Sequence, residues 1–440
     1  MTMETSWRRF SRGIRRLLPK DRFVRSAMIL AGGTTLAQGL AVLLSPILTR
    51  LYTPNDFGLL AIYSSILAMA MNIASFRYEF AIPIPEDNQT AIDLLALCMA
   101  LVFFTSVLGT LGFVFFYDEL SNIRQIGSLK QYIWFLPVGF LFAGAFQVLN
   151  FWAVRERLYH TIARTSLSQG IAGILTQMGL GFLKTGPFGL LLGQVIGQSA
   201  GIGTLAKQFW KKNKDNIHSL SITNIRSAAS RYKDFPLYQS SASLLNSAGL
   251  QVPSLLFAVY YGVDVAGWFY LTQKVLAMPI SLIGSSVSKV FLGEAARLSS
   301  EPLRLQKLFR EINVKLFMLG IGPCLILAVA GQWIFKFVFG AQWVQSGVFV
   351  QVMAFVFLLK LTTDSVINFA VIERQDFSFF WALMRLVVVF LGIMSAVWLD
   401  LPGFWAVVLF SAAMIFSYMV KYVMWSYAVK QLIVRKTATG

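Results

Sequence analysis

Residues 90–116 read TAIDLLALCMALVFFTSVLGTLGFVFF, a run whose one charged residue is Asp93. At about 1.5 Å of rise per residue, roughly twenty apolar residues cross a hydrocarbon layer of ~30 Å. The run is therefore predicted to be a transmembrane helix, and its pattern recurs along the whole 440-residue chain. Twelve spans are expected, at 26–49, 57–80, 90–116, 132–154, 161–183, 187–209, 236–261, 265–290, 312–330, 346–369, 377–399 and 402–426. Of all residues, 56% are hydrophobic and only 13% charged. A soluble domain of this size exposes far more charge, because its surface must meet water. The expected fold is an all-α polytopic membrane protein.

The net charge of +18 has to be placed before it can be read. In a soluble chain it suggests a nucleic-acid partner; in a membrane chain it reflects Lys and Arg retained in cytoplasmic loops. With both termini inside, the inner segments and adjoining span ends hold 8, 1, 3, 7, 6, 1 and 4 Lys and Arg in order, 30 of the 38. The outer loops hold Arg50, Arg124, Lys130, Lys184 and Lys336. That asymmetry implies an even number of spans and cytoplasmic ends, and removes the argument for nucleic acid. The expected division is a basic segment at 1–25, a six-helix bundle at 26–209, a linker at 210–235, a second six-helix bundle at 236–426 and a tail at 427–440. Trp7, Phe10, Ile14 and Leu17 recur at helical spacing among five arginines. Either an interfacial helix on an anionic leaflet or a disordered basic tail accounts for them.

The two bundles carry a weak internal repeat. Residues 51–58, LYTPNDFG, align without gaps on residues 260–267, YYGVDVAG, and at the same offset ILAM at 66–69 aligns on VLAM at 275–278. Joined to the six-plus-six division, this points to two parallel repeats about an axis along the membrane normal, with a substrate path between them. Gly189, Gly193, Gly197 and Gly201 form one stripe of the sixth span, read as a close helix-packing face. Gln194 and Gln198 flank it.

Ionisable groups at membrane depth are costly and mark function or a satisfied pair. The orientation rule leaves Lys274, Lys360 and Arg385 unexplained, together with Asp364. Lys360 and Asp364 are four residues apart on one helical face, with Asn368 continuing the stripe. Asp364 can pair with Lys360 or with Arg385, and either choice leaves two cations without an acidic partner. Such cations are expected to line a wet cavity for an anionic ligand, with Asp364 as a candidate for ion or proton coupling. Arg77 and Glu79 end the second span and read equally well as a surface pair.

No enzyme constellation is present. Cys98 and Cys324 lie inside apolar runs, where a lone thiol is a small hydrophobe, and two histidines make no metal-ligand spacing. No cofactor or metal is expected. Asp118-Glu119 is similar to the acidic pair of lipid-dependent glycosyltransferases, but its loop is too small for an acceptor site.

Several stretches resemble the polysaccharide-repeat (Wzx-type) flippases of the multidrug/oligosaccharidyl-lipid/polysaccharide exporter superfamily. LTRLYTPNDFG at 48–58 resembles the family's LTR-x-Y-P-x-(D/E)-(F/Y)-G exit from the first span. FRYEFAIPIPED at 76–87 resembles its RYE signature, and FGAQW at 339–343 its FG-x-x-W loop. The resemblance implies a MATE-like fold of two bundles forming a V in the bacterial inner membrane. It also implies translocation of undecaprenyl-pyrophosphate-linked oligosaccharide, and membrane lipids, a polymerase and a chain-length regulator as partners. It implies a cationic central cavity, to which Lys274, Lys360 and Arg385 would belong, with Arg50, Arg77 and Glu79 as secondary candidates. A multidrug antiporter of the same fold is the alternative, although cationic drugs call for buried carboxylates. A membrane glycan polymerase needs a larger outer loop than this chain has.

Overall fold

A computed structural model describes residues 32–33, 36–115, 127–217, 219–284, 287–288, 291, 294–295, 301–367 and 375–439. The arginine-rich segment before residue 26, the Asp118-Glu119 loop and Asn368 lie outside the described residues. Among the described residues all regular structure is helical. The first half contains α1 (Ser45–Leu51), α2 (Pro54–Ala70), α3 (Asn88–Phe115), α4 (Phe135–Arg155), α5 (Tyr159–Phe182), α6 (Pro187–Ser199) and α7 (Ile202–Ile217). After α8 (Ile222–Arg231) come α9 (Ser240–Tyr261), α10 (Val263–Pro279), α11 (Pro302–Phe339), α12 (Val344–Asp364), α13 (Gln375–Trp398) and α14 (Gly403–Thr439). Each expected span contains a helix. Eight helical stretches among the described residues are long and apolar enough, by length and composition, to cross a membrane.

The ends differ from expectation for local reasons. Helix α2 starts at Pro54 rather than at 57, because Thr53 and Asp56 form a reciprocal capping box with Pro54 at the first helical position. It stops at Ala70 instead of running to 80. Asn72 Nδ2 donates to the carbonyls of Ala68 (2.8 Å) and Met69 (3.2 Å), and Phe76 and Arg77 then adopt left-handed φ of 50° and 65°. Side-chain capping of free carbonyls followed by left-handed backbone is how a helix is stopped and its chain turned. The sixth span is divided at Ala200–Gly201, where Gly201 has φ 97°. Helix α11 has 38 residues against the 19 expected, since it adds basic first turns before 312 and continues through GQWIFKFVF after 330.

The glycine stripe packs as expected. Cβ atoms on Gly189, Gly193, Gly197 and Gly201 would all press on α5 residues, namely Leu180, Gln177, Gly173 and Thr165. Within the first half α6 lies on α5 and α4, while α3 packs on α4. In the second half α12 lies between α11 and α14, and α13 between α9 and α14. The halves meet where α2 crosses α9 and α10.

That crossing carries the internal repeat. A Cβ on Gly58 would collide with the Val263 carbonyl, and a Cβ on Gly267 with the Pro54 carbonyl. Residues 54 and 263 are related by the same offset as 58 and 267. Each half thus presents the same glycine to the same position of the other, the isologous contact of a two-fold axis. Neighbouring aromatics fill in around it, with Phe57 edge-on to Trp343 at 4.9 Å between ring centres.

Because backbone rather than a flexible side chain occupies the space, Gly58→Ala and Gly267→Ala should each cost about 1–3 kcal/mol as overpacking. The double variant should cost less than their sum, because both act on one crossing. Thermal unfolding of the purified protein measures this; unchanged midpoints would show that the halves do not touch here.

Candidate functional site

Helix α2 runs from the Gly58–Gly267 crossing toward the face of the molecule that carries the lysine-rich linker, here the basic face. On the opposite face the chain ties its halves together. Gln342 Nε2 donates to the carbonyls of Thr49 (2.7 Å) and Tyr52 (3.1 Å), and Trp343 Nε1 donates to Thr49 (2.8 Å). Tyr52 is itself fixed, its buried hydroxyl donating to the Gln177 carbonyl at 2.6 Å. Two stretches nearly 300 residues apart therefore form one seam of hydrogen bonds, buried at Trp343 and part-buried at Gln342, roughly 0.5–1.5 kcal/mol each. Arg50 sits in the same turn but points outward and has no ion-pair partner among the described residues.

Further along the crossing, Ser65 Oγ on α2 donates to Gln251 Oε1 on α9 at 3.2 Å, and Ser247 Oγ donates to the Ala68 carbonyl at 3.3 Å. Gln251 opens on its other side to a cavity of about 200 Å³ enclosed by α9, α10, α12 and α14. Its polar lining is Gln251, Gln273 and Lys360, among Met353, Phe357 and Phe410. The Lys360 ammonium stands 5.9 Å from the Phe357 ring centre and has no salt bridge among the described residues. It shares the cavity with the two glutamine amides.

Behind that wall lies a cluster in which cations are already matched. Lys421 Nζ on α14 pairs with Asp364 Oδ1 on α12 at 2.5 Å. Trp381 on α13 carries both Lys421 and Arg385 near its ring, at 4.3 and 4.5 Å from the centre, and its indole N–H donates to the Ser417 carbonyl. Arg385, only 2% exposed, also donates through Nη2 to the backbone and side-chain oxygens of Asn246, both at 3.0 Å. Gly249 leaves room for its guanidinium, since a Cβ there would lie 2.9 Å from Nη2. Cation–π contacts gain most where water is excluded, so Trp381 is a strong partner for both charges.

The structure therefore sorts the residues singled out from the sequence. Lys360, Arg385 and Asp364 come together, with Lys360 on the cavity and Arg385 packed behind it. Lys274 is half-buried on α10, next to the cavity residue Gln273 and at the position that the repeat relates to Ser65. It has no ion pair among the described residues. The partner of Asp364 is neither Lys360 nor Arg385 but Lys421, which sequence reasoning had grouped with the cytoplasmic tail cations. Lys421 is only 7% exposed. The signal was present: Lys421 falls inside the expected span 402–426.

A family profile described as polysaccharide biosynthesis protein matches residues 47–348. The chain belongs to this family. No curated protein sequence matches it. Among solved structures it is similar to the lipid II flippase MurJ in an inward closed conformation, with a TM-score of 0.71 at 11% identity, over 92% of this chain and 90% of that one. An inward-facing multidrug resistance MATE transporter of the MOP superfamily gives a TM-score of 0.66 at 13% identity, covering 90% and 95%. An outward-facing MATE transporter gives 0.55 at 12% identity, covering 93% and 96%. These likenesses show a shared fold.

The RYE stretch of this polysaccharide biosynthesis protein builds a buried knot, which corrects its reading as a surface pair. Glu79 is 1% exposed. Its carboxylate accepts from Gln147 Nε2 at 2.8 Å and from Ser75 Oγ, and lies 3.5 Å from Arg77 Nη1. Arg77 also donates to Asn72 Oδ1 and stacks 5.2 Å from Phe80. Asp87 closes the stretch by capping α3: its carboxylate accepts from Thr90 N at 2.8 Å and Oγ1 at 3.0 Å, which holds its carboxyl below the usual range. Arg155 reaches from α4 to the Pro85, Glu86 and Asp87 carbonyls. The motif's charges thus hold a loop together.

Removing one member of such a buried pair leaves its partners unmatched. Glu79→Ala should therefore destabilise the protein by about 3–5 kcal/mol, while Glu79→Gln, which keeps one of the two acceptor oxygens, should cost less. Thermal unfolding of both variants decides it, and equal, small losses would place Glu79 outside any network.

Proposed function

We propose that this polysaccharide biosynthesis protein is a flippase of the bacterial inner membrane, with both termini cytoplasmic. Its substrate is an oligosaccharide repeat unit linked through pyrophosphate to a polyprenyl carrier such as undecaprenol. The observation that carries the reading is Lys360: a half-buried cation with no salt bridge among the described residues, facing a cavity between helices beside two glutamine amides. A charge in that position is costly unless water or an anion reaches it. A phosphate headgroup supplies the anion, the amides of Gln251 and Gln273 supply further donors, and the polyprenyl tail stays in lipid. The sugars take the room that opens when the halves part. Family membership and the fold shared with a lipid II flippase support this class of cargo, and a multidrug antiporter would call for the opposite charge in the cavity.

The cycle is alternating access. The seam of Gln342 and Trp343 on Thr49 and Tyr52, with the Gly58–Gly267 crossing, closes the outer side in the state described. Gln251 links cargo to conformation, since it lines the cavity and accepts from Ser65 of the other half. A headgroup that recruits the Gln251 amide weakens that bond, and by differential affinity it favours the state in which the halves separate.

Two outcomes are expected. In a surface-polymer display assay with expression held constant, Lys360→Gln should lower display at least roughly tenfold, the loss of one charge-assisted contact; Lys274→Ala and Arg385→Ala should also lower it. Full display by all three would sink the cationic site. Cysteines at Thr49 and Gln342, oxidised to a cross-link, should stop transport and reduction should restore it; undiminished transport in the cross-linked protein would show that the seam is not a gate.

A further inference from the structure

The cluster behind the cavity contains one charge that works against an anionic cargo. Lys360, Arg385 and Lys421 carry three positive charges, and Asp364 carries one negative. Lys360 feels the attraction of Asp364 and the repulsion of Arg385 and Lys421, so the four act as one electrostatic unit. Asp364 lies one turn from Lys360 on the same face of α12. Its side chain remains 30% exposed while it holds Lys421 at 2.5 Å. Arg385 is committed to Asn246 and Trp381, and Lys421 to Asp364 and Trp381.

We propose that Asp364 is a built-in counter-anion that sets the affinity of the site for a dianionic headgroup. Three uncompensated cations in a low-dielectric wall would hold a pyrophosphate so tightly that release would limit turnover. By cancelling one of them Asp364 leaves a net charge of two, equal and opposite to that of a pyrophosphate diester. It also keeps Lys421 matched whenever no cargo is present, which a buried cation requires. A transporter needs comparable affinity at loading and release, and the internal carboxylate provides it without a second ligand. Trp381 holds the two rear cations at fixed positions, so that the charge seen from the cavity depends on Asp364 rather than on rotamer freedom. This inference rests on the reading of the cavity as a phosphate site.

The test varies the charge count one unit at a time in the full-length protein in phosphatidylcholine nanodiscs, with inorganic pyrophosphate as the probe in equilibrium dialysis. Asp364→Asn should tighten binding and Lys421→Gln should weaken it, each roughly tenfold, as one unit charge at several ångströms in partly wet protein implies. The double variant D364N/K421Q restores the net charge and should bind within about threefold of the unaltered protein; Asp364→Glu, which keeps the charge, should do the same. A purely structural pair predicts instead that both single variants weaken binding and that the double does not recover it, and that result would overturn the proposal. Should Asp364→Asn fail to fold, the Lys421→Gln and double variants still decide between the two patterns. Absence of binding by the unaltered protein, or binding unaffected by Lys360→Gln, would remove the phosphate site itself. Binding that is lost in Lys360→Gln yet not tightened by Asp364→Asn would remove the counter-anion alone.

Discussion

A charged side chain within a membrane must be paired, stacked on an aromatic ring or kept wet, and this constraint arranges the second half of the protein. Lys421 and Asp364 are paired, Arg385 is stacked on Trp381 and bonded to Asn246, and Lys360 is placed on a cavity. Each solution needs its own neighbour, and those neighbours come from four helices: α9, α12, α13 and α14. The packing of that half is therefore inseparable from its electrostatics. Moving α13 relative to α9 would strip Arg385 of Asn246; moving α14 relative to α12 would separate Lys421 from Asp364. The first half meets the same constraint at the buried carboxylate of Glu79, surrounded by Gln147, Ser75 and Arg77. Its network lies at a loop, whereas that of the second half lies at a cavity.

Most of the fold was legible because hydropathy is a one-dimensional signal: twenty apolar residues in a row read the same way wherever they stand. Helix ends were less so. The stop after Ala70 depends on Asn72 turning back onto two carbonyls, and the early start at Pro54 on a four-residue cap, both of which lie beneath a hydropathy window. At the site, charge type was readable but partnership was not. Asp364 and Lys360 are neighbours in sequence, and nearness along a helix suggested their pairing; the true partner comes from a helix 57 residues on. Lys421 escaped because a cation near the end of a span has an innocent explanation in orientation. Glu79 shows the converse, since burial gives a function in folding to a pair that looked superficial.

The repeat, weak as a sequence signal, gains its meaning from one contact. Gly58 on Val263 and Gly267 on Pro54 form a symmetric pair, so the axis relating the halves passes through the place where they are pressed most tightly together. A tight contact on a two-fold axis can act as a pivot, because rotation about it moves both halves by equal amounts. The bonds that resist such rotation are not symmetric. Gln342 and Trp343 reach across on one face from the second half alone, whereas Ser65 and Ser247 link α2 and α9 toward the other. The cavity cation likewise belongs to the second half alone: the repeat relates Lys274 to Ser65, and Lys360 lies where no first-half cation was found at span depth. A symmetric frame thus carries an asymmetric load, and asymmetry of that kind is what makes the two faces of a carrier different. In that arrangement the first half serves as the lever through α2, and the second half, through Lys360 and its shielded neighbours, as the site on which cargo acts.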